Sequence, residues 1–129
     1  MTYSNLTIWQ KAMDLVEKIY LLSNNLPSSE KFGLASQMQR AAVSIPSNIA
    51  EGYTRAPTKE FLHFLYIAKG SNSELFTQIL ICERIGILSS EETRECKFLS
   101  EEISKLLSAT IVKLQNKSIF LLPKGNSFP

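Results

Sequence analysis

The stretch Glu30–Arg55, EKFGLASQMQRAAVSIPSNIAEGYTR, decides the fold. At helical spacing, Leu34, Met38, Ala41, Ala42, Ile45 and Ile49 form one apolar stripe, while Gln37, Arg40, Ser44, Asn48, Glu51 and Arg55 form the opposite one. An ordinary solvated face is filled with long Lys and Glu side chains. Small hydrogen-bonding residues with only a few charges suit a surface packed against another helix, another subunit or a polar ligand. Within the stretch Pro46 lacks an N–H and crowds the carbonyl of Ala42, so a kinked second helix is predicted there. The disruption costs roughly 3 kcal/mol unless packing compensates. Ser44 and Asn48 stand one turn apart around Pro46, where they can satisfy backbone groups freed by the kink.

Working outward, the first helix is expected to start at Thr7 as N-cap, with Gln10 reaching back, and to turn Ile8, Ala12, Leu15, Val16, Ile19 and Leu22 inward. Pro27, Ser28 and Ser29 supply a turn and a cap, and Glu30 a favourable charge in the next first turn. Gly52 to Pro57, followed by Thr58 as N-cap, separates the second helix from a long third one carrying Phe61, Leu65, Ala68, Leu75, Ile79 and Cys82. Asn72 interrupts that apolar series. Gly70 sits mid-helix at a cost of about 1 kcal/mol relative to alanine, which suggests close approach of a neighbouring backbone, such as the segment Ala41–Ala50.

Gly86 ends the third helix, and Ser89 or Ser90 caps a fourth with Cys96, Leu99, Ile103, Leu106, Thr110 and Leu114 on one seam. The four helices are expected at about 7–25, 29–53, 58–86 and 90–116 within a bundle domain of residues 1–117. Residues 118–129 read as a flexible or partner-docked tail, and the apolar run Ile119–Leu122 is too isolated to build a sheet. The predicted class is all-α, an up-and-down four-helix bundle.

A chain of 129 residues, 44% hydrophobic and 20% charged, has enough material for one domain with its own core. Fourteen basic and twelve acidic residues give a net charge of +2, too balanced to mark a nucleic-acid binder, so any basic patch must come from arrangement. No apolar run reaches eighteen residues and the N-terminus lacks signal-peptide character, so a cytoplasmic protein without membrane contact is expected. Cys82 and Cys96 fall among apolar residues outside any CxxC pair and read as buried free thiols.

Enzymatic chemistry has little material. His63 is the only histidine and Asp14 the only aspartate, so a multi-histidine metal site is excluded and any Ser-His-Asp site must use those two. Glu60 and His63 give one EXXH spacing where a di-iron bundle needs two. The five glycines form neither a phosphate-binding loop nor a dinucleotide fingerprint. No catalytic residue, metal, cofactor or small-molecule substrate is expected.

The segments WQKAMDLVEKIY from Trp9, LPSSEKFGLASQMQRAAVSIPSNIAEGYTR from Leu26, KEFLHFLYIAKGS from Lys59 and SELFTQILICERIG from Ser73 carry a resemblance. Across about Leu6–Leu114 the chain closely resembles the bacterial four-helix bundle proteins encoded in intervening sequences of large-subunit ribosomal RNA genes. The run RAAVSIPSNIAEG is its most specific part. The resemblance implies a left-handed up-down bundle assembling as a homopentameric ring, as does the related accessory protein of diversity-generating retroelements. It also implies association with RNA. Asn72 departs from the pattern, which usually has an apolar residue such as leucine there.

As a nucleic-acid surface the best residues are Arg40, Arg55, Lys59 and Lys69, because guanidinium and ammonium groups pair with phosphate whatever the base sequence. Arg40 has an alternative inside the subunit, pairing with Glu51 or Glu74 to join helices two and three. Ser44, Pro46, Asn48, Glu51, Gly52 and Gly70 are the expected helix and subunit contacts. Tyr53, Phe64, Tyr66 and Trp9 are aromatics able to stack on bases, though their helical spacing also suits core or subunit contact. Two functions follow: a non-enzymatic homo-oligomer, expected as a pentamer, that binds RNA or a ribonucleoprotein, or a protein-binding scaffold without nucleic-acid contact.

Overall fold

Apolar residues recurring every three or four positions build four helices in the computed structural model, which describes residues 2–55 and 58–121. They are α1 (Thr7–Ser23), α2 (Leu34–Thr54), α3 (Thr58–Arg84) and α4 (Ser90–Leu121), with short 3-10 turns at Tyr3–Asn5 and Ser28–Glu30. No strand occurs among the described residues. Each helix packs on its two chain-order or ring-order neighbours, α1 on α2, α2 on α3, α3 on α4 and α4 on α1. Lys11 pairs with Glu102 and Lys18 with Glu95, so α1 and α4 run antiparallel. Tyr66 meets Gln115 while Glu83 meets Lys97, which makes α3 and α4 antiparallel too.

The core is closed by Leu15 and Ile19 of α1, Met38, Ile45 and Ile49 of α2, Leu65, Leu75 and Ile79 of α3, and Ile103 and Leu107 of α4, all fully buried. Each such side chain contributes on the order of 1.5–3 kcal/mol of hydrophobic stabilisation. The α4 seam is rotated slightly from expectation: Leu107 and Ile111 are buried, whereas Leu106 and Leu114 are only half so. Cys82 and Cys96 are buried free thiols, and burial raises both, Cys96 to about 11.

Several helix ends differ from the sequence reading for local reasons. Thr7 is the first residue inside α1, with Leu6 as N-cap, and the Gln10 side chain donates to the Ser4 carbonyl at 2.9 Å. The second helix begins at Leu34, five residues later than expected, because Ser28–Glu30 forms a 3-10 turn and the Glu30 carboxylate then accepts the Leu34 N–H at 3.2 Å. A reciprocal capping box stands instead at α4, where Ser89 Oγ accepts the Glu92 N–H at 3.1 Å and Glu92 accepts the Ser89 N–H at 2.9 Å. Gly86 ends the α3 turn with φ of 81°, a left-handed conformation that glycine adopts without strain. α4 continues to Leu121, so the first four residues of the expected tail are helical and residues 122–129 lie outside the described part. Pro57 also lies outside it.

α2 runs without a break through buried Pro46. Around it Ser47 Oγ donates to the Val43 carbonyl at 2.8 Å and Asn48 Nδ2 donates to the Ser44 carbonyl at 2.8 Å. These side chains reinforce the carbonyl row beside the one whose partner the proline removes.

Candidate nucleic-acid interface

At Gly52 the backbone of α2 lies close against α3. A Cβ there would stand 2.7 Å from Phe64 Cβ and 3.1 Å from the Phe61 ring, so only a residue without a side chain lets these two aromatics lie on the α2 backbone. The close approach expected of Gly70 does not occur among the described residues, none of which lies within 4 Å of a Cβ built there. The difference is one of side: Gly70 points outward from α3, exposed, while Gly52 points at α3.

The tight α2–α3 seam continues through hydroxyls. Ser44 Oγ and Ser71 Oγ are 2.7 Å apart, and Asn48 Nδ2 donates to Ser44 Oγ at 2.9 Å. The polar stripe of α2 is thereby divided: Ser44 and Asn48 serve the contact with α3, whereas Gln37, Arg40, Glu51 and Arg55 are exposed. Toward α4 the partner of α3 is polar as well. Asn72 Nδ2 donates to the Ser100 carbonyl at 2.9 Å, and Asn72 Oδ1 accepts from the Ser100 hydroxyl at 2.8 Å, both residues being buried.

The four predicted cations are not brought to one spot. Arg55 has its Nε on Glu51 Oε1 at 3.0 Å, one helical turn back, and its guanidinium 5.5 Å above the centre of the Phe64 ring. Lys59 is exposed nearby at the start of α3. Lys69 is half-buried three turns further along α3, and Arg40 is exposed toward the α1 side of α2, where it borders a cleft with Tyr20, Gln39 and Val43. The intrasubunit pairing of Arg40 is not formed: Glu51 is taken by Arg55, and Arg40 has no ion pair among the described residues.

Sequence reasoning missed a second set of cations. From Ile103 to Leu121 the chain has no acidic residue, yet it carries Lys105, Lys113 and Lys117, all exposed on α4. The Gln115 side chain bonds the Tyr66 hydroxyl, so the C-terminal quarter of α4 lies along the first part of α3. Lys113 and Lys117 therefore stand on the part of α4 that lies along the first half of α3. The missing acids after Glu102 were the available signal, hidden because the near-neutral total masks the asymmetry.

Among the described residues no group of three or more His, Cys, Asp or Glu side chains is placed to hold a metal ion. No described helix is long and apolar enough to cross a membrane. What the surface offers is hydrogen-bonding cations beside partly exposed aromatic rings, chemistry suited to phosphate and to planar bases.

Comparison with known proteins agrees with this architecture. The family model described as 23S rRNA-intervening sequence protein matches residues 4–109. A solved structure from Bacteroides thetaiotaomicron VPI-5482, described as a protein with unknown function from the S23 ribosomal protein family, is similar at 25% identity with a TM-score of 0.76. The match covers 81% of this chain and 98% of that one. No curated protein matches.

Proposed function

We propose, on the premise that this chain belongs to the 23S rRNA-intervening sequence protein family, that it is a non-enzymatic RNA-binding bundle acting in the cytoplasm as a homo-oligomer, a pentamer by family resemblance. The observation that carries the reading is the exposed lysines of the acid-free second half of α4, Lys105, Lys113 and Lys117, with Arg55 and Lys59 exposed at the α2–α3 end. Phosphate contacts of this kind are individually weak and indifferent to sequence. A closed ring repeats each patch by symmetry, so several weak contacts on one RNA act together through effective concentration. The exposed side of α3 at Gly70 is a fitting place for a neighbouring subunit, since no described residue comes within 4 Å of a Cβ built there.

The test is a filter-binding titration of structured RNA at two salt concentrations. Affinity should fall steeply with salt, with a slope reporting the neutralised phosphates, and the double substitution Arg55→Glu/Lys59→Glu should weaken binding at least tenfold. No binding at low salt, or intact binding by the double variant, would overturn the reading in favour of a protein-binding scaffold. Light scattering tests the assembly: a monomer at micromolar concentration refutes it.

A further inference from the structure

The end of α2 and the start of α3 interleave aromatic rings with cations. Tyr53 and Phe61 meet edge to face, with centroids 5.8 Å apart and planes at 90°. His63 meets Phe64 edge to face at 5.2 Å, and Arg55 lies over Phe64. His63, Arg55 and Lys59 are exposed, while Tyr53, Phe61 and Phe64 are half-buried. These rings are fixed, because Gly52 seats Phe61 and Phe64 directly on the α2 backbone.

Charge alone gives this corner little attraction for a phosphate. Between residues 51 and 64 Arg55 and Lys59 are balanced by Glu51 and Glu60. The Arg55 guanidinium is nonetheless oriented, since Glu51 takes Nε and Phe64 supports its face, and its terminal amino groups form the edge that grips an oxyanion. Ordered rings beside one oriented guanidinium match a nucleotide whose base is unstacked: the base lies on a ring and its phosphate meets the cation. In a duplex the base faces are already occupied by their neighbours, so a ring platform has nothing to hold.

From this we infer that the Arg55–His63–Phe64 corner is a subsite for unpaired nucleotides and gives the protein a preference for single-stranded over double-stranded RNA. The inference rests on the RNA-binding reading above and divides the work within it. Arg55, Lys59, Lys69, Lys105, Lys113 and Lys117 supply attraction to any phosphate chain, and the rings of His63 and Phe64 select unpaired bases.

The experiment titrates the full-length protein with a fluorescein-labelled single-stranded oligoadenylate and with an RNA duplex of equal phosphate number. Wild type should bind the single strand about tenfold more tightly, as stacking of a single base allows. His63→Ala and Phe64→Leu should each lower single-strand affinity about fivefold or more and leave duplex affinity unchanged. His63 is exposed, so its variant keeps the fold if Phe64→Leu does not. Equal binding of both RNAs, or an equal loss on both in the His63→Ala variant, overturns the subsite while leaving general RNA binding in place. Absence of binding to either RNA overturns both.

Discussion

Asn72 and Ser100 exchange two hydrogen bonds across the α3–α4 seam, amide to carbonyl at 2.9 Å and hydroxyl to amide at 2.8 Å, in a position closed to solvent. A polar group buried this deeply is tolerated because its partners are present, and it fixes the register of α3 on α4, since sliding either helix by one residue breaks both bonds. Asn72→Ala removes both bonds, strands the Ser100 hydroxyl and opens a small cavity, so urea unfolding should show a loss of about 2–4 kcal/mol. The double variant Asn72→Leu/Ser100→Ala, which removes both polar partners, should recover most of it. A loss below about 0.5 kcal/mol for Asn72→Ala would show that the pair is not what holds this seam.

Gly52 and Gly70 should answer the same substitution with opposite signs. Gly52→Ala forces a Cβ to 2.7 Å from Phe64 Cβ, an atom that moves only with its helix, and should cost about 1–3 kcal/mol. Gly70→Ala enters open space in a helix interior and should stabilise the protomer by about 0.5–1 kcal/mol. If the oligomer packs on that flank, the Gly70 variant will also dissociate at higher protein concentration than wild type. Thermal unfolding and sedimentation, done on the same samples, separate the two effects.

Acid should weaken the α3–α4 end first. Glu83 accepts from Lys97 Nζ at 2.8 Å and from the Thr93 hydroxyl, and these bonds hold its carboxyl below the ordinary value of 4.5. Because the folded state prefers the ionised form, the contribution is fully present above that ordinary value and disappears as pH falls through the lower folded value. Glu83→Gln should therefore cost about 1–3 kcal/mol at pH 7 and progressively less below pH 4.5. Denaturant midpoints measured from pH 7 downward check this, and a constant difference between the two proteins at every pH would count against it.

Neither thiol should react in the folded protein. Cys82 is fully buried and Cys96 is 3% exposed, with the Cys96 thiol pushed up to about 11. At pH 8, three units lower, only about one Cys96 in a thousand is ionised. Labelling with Ellman's reagent should then follow the rate of global unfolding, and complete labelling of native protein within minutes would contradict the burial.

The helices were legible in the sequence because burial repeats every three or four residues and because Pro27 and Gly86 punctuate them. What stayed hidden depends on contacts between distant residues. Asn72 departs from the family pattern, but its partner lies 28 positions away and nothing local names it. Two helical glycines look alike in sequence, and only the approach of α2 to α3 shows that Gly52, not Gly70, makes room for a neighbour within the protomer. The candidate site was half visible: Arg55 and Lys59 stand exposed, while Lys113 and Lys117 come alongside α3 only through the antiparallel return of α4.

The turn between α3 and α4 bears on how the chain finds this structure. Gly86 and the Ser89–Glu92 box close a connection whose flanking contacts, Glu83 with Thr93 and Lys97, are only 10 and 14 residues apart. Closing so short a loop sacrifices little chain entropy, so this hairpin is expected to form early, with α1 docking late. Stopped-flow refolding should then be slowed by Glu83→Gln, whereas loss of the α1–α4 pair in Lys11→Met should chiefly hasten unfolding. The reverse pattern would place the nucleus at the other end of the bundle.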